Sequence, residues 1–314
     1  MNFGGKDVYI MLRKNLISIL DITTSQQQTL FDLACQENGL FKKFHNALED
    51  KVLGSLFFQP STRTQFSFQT AFVRLGGKFI GCTDIEQTRS GPPYYEPLCD
   101  MGKILSNYCD VIVMRTIDDL QTIQLAEGTE VPLISAGSGN VEHPTQALTD
   151  MYTIKSIYGT LTGYDILIIG TPRQRTINSF IKGLSAWGNN RFHILCQVGV
   201  ELPENVIQNM GCSSVVYYHN WNEIFDSGIT NSISIIYIDK FFYETHRHNH
   251  FVPDENEFIS HFSKETIILH PLPRTSELPN FIDSLPGASY FKQAKNGLYV
   301  RAALFLYYLL DYIT

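Results

Sequence analysis

The feature that most constrains this fold is a repeated alternation between short apolar runs and stretches with helical spacing. The short runs are rich in β-branched and aromatic residues and are bounded by turn residues, which is typical of buried strands. In the first half of the chain they start at Val52, Lys78, Asp110 and Val131. In the second half they start at Asp165, Arg191, Ser214, Ile233 and Thr266. Alternation of this kind predicts parallel sheets with helices packed against them.

One long helical stretch joins the two series of strands. It reads HPTQALTDMYTIKSIYG from His143, and Gly159 and Gly163 mark its end. We therefore predict an α/β fold of two doubly wound parallel-sheet domains, residues 1–148 and 149–288. The last stretch, residues 289–314, is too apolar to stand alone, so we expect a helix that completes the first domain.

Composition narrows the kinds of partner that this chain can have. The formal net charge is -7 without a long run of Lys or Arg, so neither nucleic acid nor an acidic membrane surface is an expected partner. No stretch approaches the roughly 18 apolar residues of a membrane span, and the first residues do not resemble a signal peptide. The cysteines form no CxxC pair, which argues against a zinc ribbon or a disulfide framework. We expect a cytoplasmic protein that acts on small molecules.

The segment from Phe58 to Thr64 is the first candidate site, because an apolar strand ends there and a Ser/Thr-rich turn opens a helix. Unpaired N–H groups of a first helical turn, several hydroxyls and the Arg63 guanidinium can converge on one phosphate. The hydroxyls belong to Ser61, Thr62 and Thr64. The alternative interpretation is that Ser61 only caps the helix, as serine commonly does.

Three further segments place polar groups at the ends of predicted strands. Arg115 ends the DVIVMR strand, His143 and Gln146 follow a glycine-rich turn, and HPLPR follows the strand from Thr266. Ligands of open α/β sheets bind at such carboxyl ends. Taken alone, each segment also has an ordinary interpretation: a solvated strand end, a structural histidine and a rigid proline loop.

In their order along the chain, these four segments resemble the transcarbamoylases, the aspartate/ornithine carbamoyltransferase family. The resemblance is carried by STRT from Ser61, the strand that ends in VMR at Arg115, HPTQ from His143 and HPLPR from His270. It extends from Val52 to the C-terminus, and HPLPR favours the aspartate branch and its catalytic chain. The family's fold has a carbamoyl-phosphate domain and an acceptor domain, in agreement with the two predicted domains. The resemblance implies that the active site lies in the cleft between them.

The resemblance implies a role for each matching residue. Four would hold the phosphate of carbamoyl phosphate: Ser61, Thr62, Arg63 and Thr64. Three would donate towards its carbonyl oxygen: Arg115, His143 and Thr64. Gln146 and the carbonyls of Pro271 and Leu272 would orient the carbamoyl NH2 and the incoming amine. The catalytic residues would be Arg63, Thr64, Arg115 and His143, and neither a metal nor an organic cofactor is implied.

One loop of the family is lent by a neighbouring subunit, which implies a homotrimer with shared sites. The family's loop contains a Ser that contacts carbamoyl phosphate and, a few residues on, a Lys. Ser90 and Glu96 match this loop, but Tyr94 stands at the lysine position. Tyrosine donates a hydrogen bond without carrying a positive charge at neutral pH, so another group would have to neutralise the phosphate. Arg89 is the candidate replacement.

The acceptor side also departs from the family. Arg175 matches an arginine that binds a substrate carboxylate, but the later RxQ segment is Lys240-Phe241-Phe242 here. An ammonium thus replaces a bidentate guanidinium, and a ring replaces an amide. Between Thr245 and His250 imidazoles alternate along the chain; they would ligate a metal only in an extended segment, and a flexible basic loop is the simpler interpretation.

Three functions are open on the sequence alone. The first is carbamoyl transfer to L-aspartate, giving N-carbamoyl-L-aspartate for pyrimidine synthesis. The second is transfer to another amine, one with an apolar part that faces Phe242. The third is a non-catalytic relative that binds other transcarbamoylase chains, suggested by the missing loop lysine, although the intact phosphate segments argue against it. The sequence gives no sign of whether a regulatory chain binds.

Overall fold

The computed structural model describes residues 15–35, 39–240 and 252–310. These residues divide into two compact units. Unit 1 contains the described residues up to Leu148 together with those from Asn296 onwards, and unit 2 runs from Thr149 to Lys295. None of the helices in the described ranges has the length and apolar character of a membrane span.

Unit 1 is built on four strands with helices between them. The strands are Val52–Phe57 (β1), Lys78–Cys82 (β2), Val111–Arg115 (β3) and Leu133–Ser135 (β4). The helices before and between them are Thr24–Ala34 (α1), Leu40–Lys43 (α2), Thr62–Arg74 (α3), Leu98–Leu105 (α4) and Asp119–Gly128 (α5). Two short 3-10 turns, Ile19–Asp21 and Ile85–Gln87, complete the list.

The strands of unit 1 are all parallel and lie in the order β2-β1-β3-β4. The order of connection reverses between the neighbours β1 and β3, because β2 lies on one side of this pair and β4 on the other. Such a switch point opens a crevice at the carboxyl ends of the strands. Phe57, the last residue of β1, pairs in register with Arg115, the last residue of β3. Two of the predicted site segments therefore start from adjacent strand ends.

Strand β2 differs from the buried strand that its apolar sequence predicts. Four of its five residues are exposed, including Phe79 and Ile80, which keep 43% and 47% of their surface accessible. Parallel sheets are normally covered on both faces. The reason for the difference is position: β2 is the edge strand of its sheet, and the described chain leaves it largely uncovered.

Aromatic packing holds α3, the helix that opens with the STRT segment. Phe68 and Phe72 lie one turn apart on α3, and both are fully buried. Their rings contact Phe305 near the C-terminus, with centroid distances of 5.8 Å and 4.8 Å. The Arg301 guanidinium lies over the Phe68 ring at 5.0 Å. This packing fixes α3 against the core, and with it the position of the helix's first turn.

Unit 2 is built on five further strands. They are Asp165–Ile169 (β5), Arg191–Leu195 (β6), Ser214–Tyr218 (β7), Ile233–Ile238 (β8) and Ile267–Leu269 (β9). The remaining helices are Pro144–Tyr158 (α6), Arg175–Ser185 (α7), Glu204–Ile207 (α8), Trp221–Asp226 (α9), Glu255–His261 (α10) and Tyr290–Leu309 (α11). Two 3-10 turns are Ile229–Asn231 and Asn280–Ser284. The divisions between the units fall within α6 and α11.

The five strands of unit 2 are also parallel, in the order β7-β6-β5-β8-β9. Here the switch point lies between β5 and β8. Every residue of β5 is buried, which is why this strand appears in the sequence as a continuous apolar run rather than an alternating one. The predicted α/β fold with two doubly wound parallel sheets is confirmed.

Candidate functional site

The turn between β1 and α3 places Ser61 to Thr64 in the first turn of a helix. Ser61 occupies the N-cap position, but its hydroxyl makes no capping hydrogen bond. The first intrahelical bond runs from Gln65 N–H to the Ser61 carbonyl at 3.0 Å, so the N–H groups of Thr62, Arg63 and Thr64 have no intrahelical acceptor. Arg63 is exposed as a whole residue, but partial desolvation of its guanidinium lowers the pKa, and a bound anion would offset this effect. The turn has the chemistry of an anion site.

Arg115 lies beside the segment that leads into this turn, and it also approaches His143. The N–H of Phe58 donates to the Arg115 carbonyl at 2.9 Å, so the chain leaves β1 next to Arg115. The Arg115 guanidinium donates to the Ala136 carbonyl at 3.1 Å and approaches Nε2 of His143 to 3.5 Å. His143 is buried, and Arg115 is half-buried. The structure therefore brings together two predicted donors that are 28 residues apart in the chain.

The turn before α6 leaves space for the His143 ring because it contains a glycine at the point of closest approach. Gly137 has a φ of +93°, and a Cβ added there would lie 2.7 Å from the imidazole. Glycine is needed here both for its backbone conformation and for its lack of a side chain. The Ser138 and Thr122 hydroxyls, 2.6 Å apart and buried, tie the turn to α5. Gln146 follows in the first turn of α6, where its N–H donates to the His143 carbonyl at 3.0 Å.

Ser90, another predicted ligand of carbamoyl phosphate, lies in the loop between β2 and α4. It is buried, and its hydroxyl donates to the sulfur of Met101 at 3.5 Å. In the same loop, the Arg89 guanidinium stacks on the Tyr94 ring at 4.0 Å from the centroid, and Tyr94 is 63% exposed. Among the described contacts, Ser90 is not joined to Arg115 or His143. The loop instead presents Arg89 and Tyr94 at the surface as a stacked pair.

In unit 2, Arg175 and Lys240 follow β5 and β8, the two neighbouring strands at the switch point. Asp239 connects the chain at Lys240 with the chain next to Arg175. Its carboxylate accepts hydrogen bonds from the Lys240 N–H at 2.7 Å and from the Thr176 hydroxyl. The N–H of Thr171 also donates to the Lys240 carbonyl at 3.3 Å. Burial raises the pKa of the Asp239 carboxyl. A buried carboxyl group that sequence analysis missed thus bonds to the backbone of Lys240 and to Thr176, the residue after Arg175.

Pro271 and Leu272 follow β9, which pairs with β8. Glu277, a few residues after this turn, is buried. It accepts hydrogen bonds from the His270 ring at 3.1 Å and from the Thr275 N–H at 2.9 Å. Burial alone would raise the pKa of Glu277, but these hydrogen bonds outweigh it and lower the pKa to about 2. No periodicity in the sequence marks Glu277, so only the fold identifies it as the support of the turn.

Two parts of the predicted acceptor side lie outside the described residues. One is Phe241-Phe242, the aromatic pair that follows Lys240. The other is the segment of alternating imidazoles from Thr245 to His250, a candidate metal ligand set only if it is extended. Within the ranges that the structure does describe, no group of His, Cys, Asp or Glu is arranged to hold a metal ion.

Known proteins match most of both units. Residues 14–156 match the carbamoyl-P binding domain of aspartate/ornithine carbamoyltransferases, and residues 162–308 match the Asp/Orn binding domain. The aspartate carbamoyltransferase catalytic subunit of Clostridium kluyveri is 35% identical over 302 residues, which cover 93% of this chain and 97% of that protein. The corresponding subunit of Methanocaldococcus jannaschii is 33% identical over 305 residues, covering 93% and 96%.

Solved structures give the same result. The catalytic subunit of Methanocaldococcus jannaschii aspartate transcarbamoylase matches with a TM-score of 0.77 at 31% identity, covering 95% of this chain and 98% of that one. Aspartate transcarbamoylase from Trypanosoma cruzi, in complex with aspartate and phosphate, matches with a TM-score of 0.81 at 26% identity, covering 93% of each chain. The similarity in sequence and in fold therefore spans both units.

Proposed function

This chain belongs to the aspartate/ornithine carbamoyltransferase family, and we propose that it transfers the carbamoyl group of carbamoyl phosphate to the amino group of L-aspartate. The products are N-carbamoyl-L-aspartate and phosphate, a step of pyrimidine biosynthesis. The main support is the contact between Arg115 and His143, 3.5 Å apart, where Arg115 also bonds to the segment that leads into the open first turn of α3. The relatives in Clostridium kluyveri and Methanocaldococcus jannaschii, both aspartate carbamoyltransferase subunits, support aspartate as the acceptor.

In this proposal unit 1 holds carbamoyl phosphate. The phosphate takes the N–H groups of the α3 first turn, the STRT hydroxyls and the Arg63 guanidinium. The carbonyl oxygen faces Arg115, His143 and Thr64. As the uncharged amine attacks the carbonyl carbon, negative charge grows on this oxygen, and each preorganised donor stabilises it by roughly 3 kcal/mol. A C–N bond forms, the C–O bond to phosphate breaks, and the leaving phosphate takes the proton from the amine.

Unit 2 holds the acceptor. Arg175 binds one carboxylate of aspartate through its planar fork, and Lys240 binds the other as a point charge. The carbonyls of Pro271 and Leu272 accept hydrogen bonds from the amine and the carbamoyl NH2, which Gln146 also orients. Because the transfer proceeds without a covalent enzyme intermediate, the chain contributes positioning and electrostatic stabilisation.

Arg89 supplies the positive charge that a lysine in the loop of relatives would bring. Its stacking on Tyr94 at 4.0 Å orders an otherwise flexible guanidinium at the surface. Arg89→Ala is expected to weaken carbamoyl-phosphate binding about tenfold, the usual loss for one charge-assisted hydrogen bond. Tyr94→Phe keeps the ring for stacking and should change the affinity little. A loss of affinity in Tyr94→Phe without a loss in Arg89→Ala would assign the contact to the Tyr94 hydroxyl instead.

A homotrimer with sites shared between subunits, Ser90 among the shared ligands, completes the proposal. It is supported by strand β2, an edge strand on which Phe79 and Ile80 are exposed. Apolar side chains on an exposed sheet edge are a common docking surface for another chain. Light scattering should give the mass of three chains, and a monomer that is fully active would contradict shared sites. A cytoplasmic location stays a prediction of the sequence.

The decisive experiment measures phosphate release from carbamoyl phosphate in the presence of L-aspartate and, separately, of a panel of other amino acids and amines. The carbamoylated product is identified by its mass. Turnover with aspartate supports the proposal and shows that a chain with Lys240 in place of the family's arginine still uses a dicarboxylate acceptor. Turnover only with another amine would contradict the acceptor but keep the carbamoyl-phosphate half. Absence of turnover with every acceptor would favour a non-catalytic relative.

A further inference from the structure

A chain of buried hydrogen bonds surrounds His270, the residue before the Pro271-Leu272 turn. His270, Glu277 and Gln293 keep between 1% and 3% of their surface accessible, and Asp150 keeps none. Polar side chains at this depth need a complete set of hydrogen-bonding partners. They are too buried to touch a substrate, so their effect on a reaction would have to be indirect.

The ring of His270 joins the turn to a buried carboxylate. The N–H of Leu272 donates to Nδ1 at 2.8 Å, and Nε2 lies 3.1 Å from the Glu277 carboxylate. Because Nδ1 accepts from a backbone N–H, the ring proton must sit on Nε2, where it is donated to Glu277. The neutral imidazole therefore has one fixed tautomer and one fixed orientation.

The backbone of His270 is held from the opposite side. Its N–H donates to the Gln293 amide oxygen at 2.9 Å, and the Gln293 amide nitrogen donates to Asp150 at 2.6 Å. The Tyr237 hydroxyl donates to the other oxygen of Asp150 at 3.0 Å. Each end of the Gln293 amide has a matching partner, so its orientation is also fixed.

Leu272 shows what these bonds hold in place. Its φ is 56°, in the left-handed region that a leucine rarely adopts. Such a conformation persists only where the surrounding structure holds it. The bond from its N–H to Nδ1 of His270 is the contact that restrains this peptide group.

We propose that His270, oriented by Glu277 and Gln293, is a positioning residue that aims the carbonyls of Pro271 and Leu272 at the acceptor amine. The inference rests on the proposed function for the role of these carbonyls. A carbonyl that is displaced by even 1 Å costs about 100-fold in rate when it orients a reacting group. The residues that hold the turn should therefore affect the acceptor and leave the phosphate half unchanged.

Two substitutions of His270 separate its two hydrogen bonds. In His270→Asn the amide oxygen lies near the position of Nδ1 and can still accept from Leu272, but Glu277 is out of reach. In His270→Gln the amide nitrogen lies near the position of Nε2 and can still donate to Glu277, but the Leu272 N–H loses its acceptor. His193→Asn is the matched control, because His193 is another buried histidine of unit 2 that pairs with a carboxylate, Asp165, at 3.0 Å.

The readouts are the KM for each substrate, kcat and the melting temperature. His270→Gln should raise the KM for aspartate and lower kcat, by about tenfold or more in kcat/KM. The KM for carbamoyl phosphate should stay within about twofold of the wild type, and His270→Asn should recover much of the lost activity. His193→Asn should lower the melting temperature without changing either KM.

Three outcomes would overturn the inference while the wild type is active on aspartate. They are equal activity in His270→Asn and His270→Gln, a loss that also appears in His193→Asn, or a changed melting temperature with an unchanged KM. If the wild type uses another amine, the same comparison is made with that amine. Nitrogen-15 NMR of the His270 ring gives a separate check: a proton on Nδ1 rather than Nε2 would contradict the arrangement whatever the substrate.

Discussion

The proposed site takes residues from both units: those of unit 1 are called the open half here and those of unit 2 the buried half, and each is built in a different way. In unit 1 the STRT segment presents Thr62 and Arg63 as exposed side chains on an open helix end, where a bound anion would be their main partner. In unit 2 the Pro271-Leu272 turn is already held by the hydrogen bond from the Leu272 N–H to His270, whose ring is bonded to the buried Glu277. Flexible side chains can rotate to donate hydrogen bonds to a bound anion. A backbone carbonyl cannot rotate in this way, so its direction is set by the fold. In the proposed function, anion binding therefore depends on residues that are neighbours in the chain, whereas acceptor orientation depends on residues that are far apart in it.

The largest expected effect tests the open half. Arg63→Ala removes the one cationic side chain of the STRT turn, so carbamoyl phosphate and inorganic phosphate should bind at least about 100-fold more weakly in titration calorimetry. Arg74→Ala is the control, because Arg74 lies in the last turn of the same helix and stacks on Phe41 at 4.0 Å. An unchanged phosphate affinity in Arg63→Ala would remove the anion site from unit 1.

The next effect tests the buried half through pH. The hydrogen bonds to Glu277 lower its pKa from 4.5 to about 2, against the effect of burial. A carboxyl whose pKa is lower in the folded state stabilises the protein above the unfolded pKa, and this contribution is lost as the pH falls from 4.5 towards 2. Between about pH 5 and pH 3, the free energy of unfolding of the wild type should fall by roughly 2 kcal/mol more than that of Glu277→Gln.

Urea unfolding at each pH measures this difference, and the variant isolates Glu277 from the other carboxyl groups. A parallel fall in the two proteins would show that Glu277 keeps its ordinary pKa. The hydrogen bonds from His270 and Thr275 would then contribute little to the stability of unit 2.

A smaller effect tests whether the open half also needs rigid geometry. Gly137→Ala places a Cβ 2.7 Å from the His143 ring, so the imidazole must move away from Arg115, and kcat should fall roughly tenfold. Gly163→Ala is the matched control, because Gly163 has a similar φ of +86° but no atom within 4 Å of an added Cβ. Equal kcat values in the two variants would mean that backbone strain, not the displaced imidazole, is the cause.

The smallest effect tests Lys240, the acceptor-side residue that stands where the family has the arginine of its RxQ segment. Lys240→Arg restores a bidentate fork beside Asp239, and the KM for aspartate should fall by about two- to fivefold, with no change in the KM for carbamoyl phosphate. Lys240→Met, which keeps the length but removes the charge, should raise the same KM. A Lys240→Met enzyme with an unchanged KM for aspartate would exclude Lys240 from acceptor binding.

Most of the fold was predictable because its signal is local. Each observed strand starts within two residues of its predicted apolar run, since both faces of a central parallel strand are covered and the run is continuous. The exposure of β2 was not predictable in this way. Its sequence resembles that of a buried strand, and its edge position depends on the order in which distant strands pair.

The candidate site residues differ in the same way, since some lie in local sequence motifs and others are brought together only by the fold. Ser61, Arg115 and His143 lie in short motifs at strand ends, so their sequence positions alone made them candidates. The supports of the acceptor side carry no such motif. Gln293 and Asp150, which hydrogen-bond at 2.6 Å, are 143 residues apart in the chain, and their contact exists only after the sheet of unit 2 has formed.

The exposed strand β2 has a consequence for experiments that mix variants. If a second copy of the chain covers β2 and lends its loop, one subunit contributes Arg63 to a site and its neighbour contributes Arg89. Mixed assemblies of Arg63→Ala and Arg89→Ala chains would then contain some sites in which both arginines are intact. Such mixtures should show complementation, with more activity than the average of the two parents, and dilution should abolish the gain as the subunits separate.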